Sequence, residues 1–191
     1  MLRVVLIDNH LGRTAPLSQY LADAGYEVVS QLADIACLDE AVRCLQPDFV
    51  IIDIVSPSKN MLEHLFLMNR NMPQPIVMFT YDGDTEKIWE ATRAGVSAYV
   101  VGEISHDRLK SVVDAAIARF EEFKTLRKAL ESANNRLSER KVIEKAKGIL
   151  MQQRNLCEDE AYKLLRTLAM QQKTRLAVLA RQIVKAAELL L

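Results

Sequence analysis

Phe49-Val-Ile-Ile-Asp53 is an unbroken apolar run closed by a carboxylate, and Arg3-Val-Val-Leu-Ile-Asp8 is built the same way. A strand apolar on both faces leaves no side for water, so it belongs in a parallel sheet covered on both sides by helices. Working outward, residues near 15–24 form a helix stopped by Gly25, and Glu27-Val-Val-Ser-Gln31 follows as a strand. Helices near 38–45, 60–70 and 85–94 then alternate with Phe49–Asp53, Pro75-Ile-Val-Met-Phe-Thr80 and Ser97-Ala-Tyr-Val-Val101. The alternation predicts an α/β domain with a five-stranded parallel sheet.

Sheets of this kind place their sites beyond the carboxyl ends of their strands, where Asp8, Asp53 and Thr80 all fall. The chemistry such a set suits is metal-assisted phosphoryl transfer to a carboxylate. Asp53 is the candidate acceptor, Asp8 and Asp53 are the candidate ligands of Mg²⁺, and the Thr80 hydroxyl is placed to bond a phosphoryl oxygen. The plainer alternative is that strand-end carboxylates cap helices and stay solvated; spacing alone does not separate the two.

Composition divides the chain in two. Through residue 104 there are 7 Lys and Arg against 14 Asp and Glu, a balance of −7; from residue 105 there are 18 against 11, a balance of +7. Such asymmetry joins an acidic module to one with a polyanionic partner, unless it is only chance placement on two solvated surfaces. All five prolines lie before residue 76, and after Gly102 Gly148 is the only Gly or Pro, so the second half is helical. No stretch approaches the roughly 18 apolar residues of a membrane span, and Asp8 interrupts the first apolar run before a signal-peptide core forms. Cys37, Cys44 and Cys157 show no metal spacing and read as buried reduced thiols. A cytoplasmic chain without membrane contact is expected.

From Ser105 helical sequence continues past residue 137. With Val113 as a heptad a position, the a series is Val113, Phe120, Arg127 and Asn134, and the d series is Ala116, Phe123, Leu130 and Leu137. The apolar d column predicts a coiled-coil homodimer with a seam at Phe120, Phe123, Leu130, Asn134 and Leu137, Asn134 fixing register. The alternative is an amphipathic helix packed on its own domain. The chain then reads as an α/β domain over 1–120, a coiled-coil linker helix over 121–137 and a three-helix domain over 138–191, its helices ending near 153, 172 and 190.

On a helical wheel of residues 140–154, Val142, Ile143, Ala146, Ile149 and Leu150 form the packing stripe. Arg140, Lys141 and Gly148 lie opposite, flanked by Lys145, Lys147 and Arg154. A glycine here costs about 1 kcal/mol against alanine. Close approach of a phosphate backbone or of another helix accounts for it, as does a neutral position on a solvated face.

Residues 1–120 resemble the receiver domain of two-component response regulators, a flavodoxin-like fold, through Leu6-Ile-Asp8, Ile51-Ile-Asp53 and Phe79-Thr80. Two positions depart from that pattern. Asn9 replaces the second acid, which leaves any Mg²⁺ site weak, and Gly102 stands where a lysine is expected. The receiver pocket is thus Asp8, Asn9 and Thr80, with Asp53 an acceptor of doubtful use. Residues 137–187 resemble the ANTAR domain, an RNA-binding module, through Arg140-Lys141, Glu144-Lys-Ala-Lys-Gly-Ile-Leu-Met151, Glu158-Asp-Glu-Ala-Tyr162, Leu165-Arg166, Leu168-Ala-Met170 and Leu176 through Val184. With Ser56-Pro57-Ser58 after the acceptor strand, the chain is similar to ANTAR-domain response regulators of the NasT type. That resemblance implies transcription antitermination on paired hairpins of leader RNA from nitrate or nitrite assimilation genes. It also implies control by a nitrate-sensing inhibitory partner protein rather than by phosphorylation, and no required cofactor.

From Lys124 onward 15 basic residues face 7 acidic ones, which suits RNA phosphates. The expected RNA contacts are Arg140, Lys141, Lys145, Lys147, Gly148, Arg154 and Arg166. A phosphorylation-controlled DNA-binding response regulator is the second reading, weakened because Gln171-Gln-Lys-Thr-Arg175 lacks the glycine common in helix-turn-helix turns. A dimeric adaptor leaves the basic excess unexplained, and no nucleophile–base pair or cofactor loop points to an enzyme.

Overall fold

A computed structural model describes residues 1–8, 14–103 and 105–189. Asn9 lies outside them. The chain divides into two compact units, Met1–Lys124 and Thr125–Leu191.

In the first unit β1 (Leu2–Asp8), β2 (Tyr26–Leu32), β3 (Phe49–Asp53), β4 (Ile76–Thr80) and β5 (Ala98–Val101) form one parallel sheet in the order β2-β1-β3-β4-β5. Helices α1 (Thr14–Asp23), α2 (Leu38–Leu45), α3 (Lys59–Asn71) and α4 (Thr85–Arg93) connect the strands, with a 3₁₀ turn at Ile35–Cys37. Strand side chains alternate between faces. Val5, Ile7, Val50 and Ile52 therefore meet Leu38, Leu62, Leu65 and Met68 on one side, while Val4, Leu6, Phe49 and Ile51 meet Leu17, Leu21, Leu109 and Val113 on the other. Two buried faces explain why the strands read as continuous apolar runs rather than as alternation.

Local chemistry fixes the helix ends. The Ser58 hydroxyl accepts from the Met61 amide, and an Asp84 carboxylate oxygen accepts from the Glu86 amide; each satisfies an orphan donor of a first turn. After α4 the chain turns at Gly95 with φ +96°, and a Cβ there would stand 1.5 Å from the Asn69 Nδ2 atom. Asn69 uses that nitrogen to donate to the Gly95 carbonyl at 3.1 Å. Only glycine fits both the left-handed backbone and the close approach.

Helix α5 runs without interruption from His106 to Arg154, 49 residues. Val113 and Ala116 are buried in the core of the first unit. Phe120 is buried too, at 9 % exposure, with the Lys124 ammonium 5.5 Å from its ring centroid. Its expected place in the dimer seam is therefore corrected: it continues the Val113–Ala116 stripe one turn further. Phe123, Leu126, Leu130, Asn134 and Leu137 are exposed.

The second unit packs the end of α5 with α6 (Glu158–Gln171) and α7 (Leu176–Leu189). Its buried residues include Ala146, Leu150, Ala161, Leu165, Ala169, Leu179 and Ala180. The α5–α6 turn passes through Asn155 in the left-handed region, φ 53°, and the α6–α7 turn through Lys173, φ 51°. The three cysteines, expected to be buried, are exposed. Cys37 and Cys157 precede α2 and α6 as N-cap residues, positions at the ends of elements that the core does not reach. No helix among the described residues is long and apolar enough to cross a membrane.

Candidate nucleic-acid interface and receiver pocket

Parallel pairing places Asp8 directly beside Asp53 across β1 and β3, and Thr80 ends the next strand. All three are buried. The Thr80 hydroxyl donates to the Val55 carbonyl at 2.7 Å and accepts from the Asp82 amide at 3.2 Å. Asp82 organises the loop that follows. One carboxylate oxygen accepts from Ser56 Oγ and from Lys87 Nζ, both at 2.6 Å, and the other accepts from the Asp84 amide. Its carbonyl accepts from the Tyr99 hydroxyl at 2.8 Å. The Lys87 hydrogen bond, reinforced by Ser56 and the Asp84 amide, holds this carboxyl well below the usual carboxylate range. Asp82 in turn raises Lys87.

Where a receiver lysine is expected, Gly102 has φ +102° and open space at the position of a Cβ. Lys87 on α4 is a cation near this end of the sheet, but its partners are Asp82 and Ser56. Among the described residues no group of three or more His, Cys, Asp or Glu side chains is arranged to hold a metal. Two carboxylates suit Mg²⁺ only when water and a phosphoryl oxygen complete its shell.

In the second unit the expected cationic contacts separate into three kinds. Arg140, Lys141, Arg154 and Arg166 are exposed and form no ion pair among the described residues. Lys145 is exposed but its ammonium lies 2.6 Å from Glu188 on α7. Lys147 is different: it is buried, at 7 % exposure, with its ammonium 2.8 Å from Glu144 and 2.6 Å from Glu158. Hydrogen bonds to Glu144 and Glu158 raise Lys147, and its ammonium lowers Glu158. Two carboxylates on one buried ammonium make Lys147 the tie between α5 and the first turn of α6. Beside that tie, Glu160 accepts from the Cys157 amide at 2.9 Å and closes a capping box. Gly148 faces open space, with nothing within 4 Å of the position of a Cβ.

Residues 4–114 match the response regulator receiver domain, and residues 131–184 match the ANTAR domain. The chain belongs to the ANTAR-domain response regulators. Among relatives of this response regulator, the transcriptional regulatory protein PdtaR of Mycobacterium tuberculosis is 28% identical over 172 residues, 90% of this chain and 84% of that protein. The DNA-binding response regulator MtrA of Mycolicibacterium smegmatis is 26% identical over 120 residues, 63% of this chain and 52% of that one. Solved structures agree on the fold of the first unit. A CheY-like receiver domain protein from Methanospirillum hungatei JF-1 superposes with TM-score 0.56 at 20% identity, covering 64% of this chain and 98% of that chain. The receiver domain of the response regulator NarL from Mycobacterium tuberculosis gives 0.53 at 19%, covering 60% and 95%.

The α6–α7 turn of this ANTAR-domain response regulator corrects one argument from sequence. The helices are joined across residues 172–175 with Lys173 in the left-handed conformation, so the absence of glycine does not prevent a tight turn. Arg181 and Lys185, exposed on α7, were not among the expected contacts. The available signal was charge: residues 161–187 hold six Lys and Arg and no Asp or Glu.

Proposed function

We propose that this response regulator binds paired hairpins in leader RNA through its ANTAR domain and prevents a terminator from forming. The observation that carries the reading is the ANTAR match over residues 131–184, whose exposed surface bears Arg140, Lys141, Arg154 and Arg166, which form no ion pair among the described residues. Exposed cations of this kind supply the salt-dependent phosphate contacts on which RNA affinity rests. Nitrate or nitrite assimilation genes are the proposed targets, and the protein acts in the cytoplasm. The exposed stripe of Phe123, Leu130 and Leu137, with Asn134 among them, supports a homodimer, and two RNA sites on one dimer raise the effective concentration for a paired hairpin.

In this reading a nitrate-sensing partner protein controls the receiver, not a phosphoryl group. Gly102 supplies no cation to the pocket, and Lys87 is held by Asp82 and Ser56. Acetyl phosphate with Mg²⁺ is expected to leave Asp53 unmodified. Stoichiometric phosphorylation at Asp53 in an intact-mass spectrum overturns this part.

A gel shift with the purified protein on leader RNA of its own operon, against DNA of the same sequence, tests the whole. Tighter binding to the RNA is expected. A DNA-binding function is the second reading, favoured by the four-residue turn between α6 and α7; equal or tighter binding to the DNA decides for it.

A further inference from the structure

The Lys145–Glu188 ion pair identifies which flank of α7 lies beside which flank of α5. On α5, Lys141, Lys145, Gly148 and Gln152 follow at intervals of four, three and four residues, so they share one flank. On α7, Arg181, Lys185 and Glu188 follow at four and three and share a flank as well. The 2.6 Å bond from Lys145 to Glu188 joins the two. The surface so formed carries Lys141, Lys145, Arg181 and Lys185 against Glu188, all of them exposed. Within it Gly148 leaves open the space a side chain would fill. The opposite flank of α5 is the one that Lys147 ties to Glu158 of α6.

We propose that this α5–α7 face receives the RNA phosphate backbone, with Arg181 and Lys185 as contacts, and that Glu188 holds on Lys145 the place a phosphate takes in the complex. The proposal rests on the RNA-binding reading and names the surface for it. A carboxylate and a phosphate oxygen compete for the same ammonium. Lys145 and Glu188 keep more than half of their side-chain surface in water, and an exposed ion pair is worth little, so it exchanges readily for another anion. Cations on two neighbouring helices, with helix α5 left bare at Gly148 beside Lys141 and Lys145, suit a backbone that must come close. Glu188 is the one acid of this face among the described residues, and it makes binding an exchange rather than an addition.

The test is titration of the full chain with its own leader-RNA hairpin at several salt concentrations. Arg181→Ala with Lys185→Ala is expected to lower the slope of log affinity against log salt by about 1.4 to 1.8, roughly 0.7 to 0.9 for each lost contact. Glu188→Gln is expected to tighten binding several-fold, because the competitor for Lys145 is gone. Lys163→Ala on α6 serves as the control and leaves the slope unchanged. Circular dichroism confirms that each variant is folded. An unchanged slope in the double variant, or weaker binding by folded Glu188→Gln, overturns the proposal while the RNA reading stands. A parent that binds no leader RNA overturns that reading and the proposal with it. The same losses on a DNA duplex of equal affinity assign the face to DNA instead.

Discussion

The largest fully enclosed side chains of the protein, Phe49 and Phe79 among them, all belong to the first unit. The second unit encloses mostly alanines, with Leu150, Leu165 and Leu179 between them, and closes one corner with an ion pair to a buried lysine. The first unit is held by apolar area on both sides of a sheet. The second is a small helical domain with a thin core, of a size at which stability is marginal. Charge therefore has different consequences in the two: it shapes loops in the first and helps hold helices together in the second.

Truncations of the core test that contrast most strongly. Phe49→Ala is expected to cost about 3–5 kcal/mol and Leu165→Ala about 2–5 kcal/mol. In calorimetry the first shifts the receiver transition but leaves it visible, whereas the second removes the transition of the C-terminal unit with the receiver intact. A Leu165→Ala protein that keeps both transitions would show that the alanine-rich core is not marginal.

The exposed leucines come next. In the proposed homodimer, Leu130→Asp with Leu137→Asp places charges in the apolar seam, and monomers with an unchanged receiver are expected in light scattering. The parent oligomer persisting in this variant would move the interface elsewhere.

Acid gives a smaller and more selective effect. In the folded protein Lys147 holds Glu158, and the Cys157 amide holds Glu160, below the usual glutamate range. A carboxyl depressed by folding contributes stability above its unfolded value, and that contribution fades as pH falls through the folded value. The melting temperature of the second unit should thus fall on acidification, and Lys147→Met should flatten the dependence. Asp82 gives the first unit an acid-sensitive loop as well, but the enclosed sheet keeps that unit folded after the second has melted. Simultaneous loss of both units would contradict the comparison.

Gly148→Ala is the smallest change. With open space around the added methyl, the helix should gain up to about 1 kcal/mol, read as a higher melting temperature, while RNA affinity falls. A variant that melts higher and binds leader RNA as tightly as the parent removes this face from the RNA site.

The sheet was legible because parallel strands buried on both faces leave an unmistakable apolar signature, as in Phe49–Asp53 and Ile76–Thr80. The helices of the second half were legible because Gly and Pro are nearly absent there. Lys147 was not. A helical wheel places it at the edge of the cationic face, and its burial depends on Glu158, which is brought alongside by a turn through left-handed Asn155. Neither the turn nor the partner is visible in the period of one helix. Arg181 and Lys185 escaped for a related reason: they share a flank of α7 with Glu188, and only the contact of Glu188 with Lys145, made between helices, sets that flank beside α5.

Buried beneath two carboxylates, Lys147 also differs from its neighbours as a nucleophile. Acylation needs a neutral, accessible amine, and Lys147 is raised in pKa and enclosed, whereas Lys141 stands in water. An amine-reactive reagent will mark Lys141 at once and Lys147 only when the α5–α6 corner opens. The rate at which Lys147 is labelled is then a direct clock for the breathing of that corner in the intact protein.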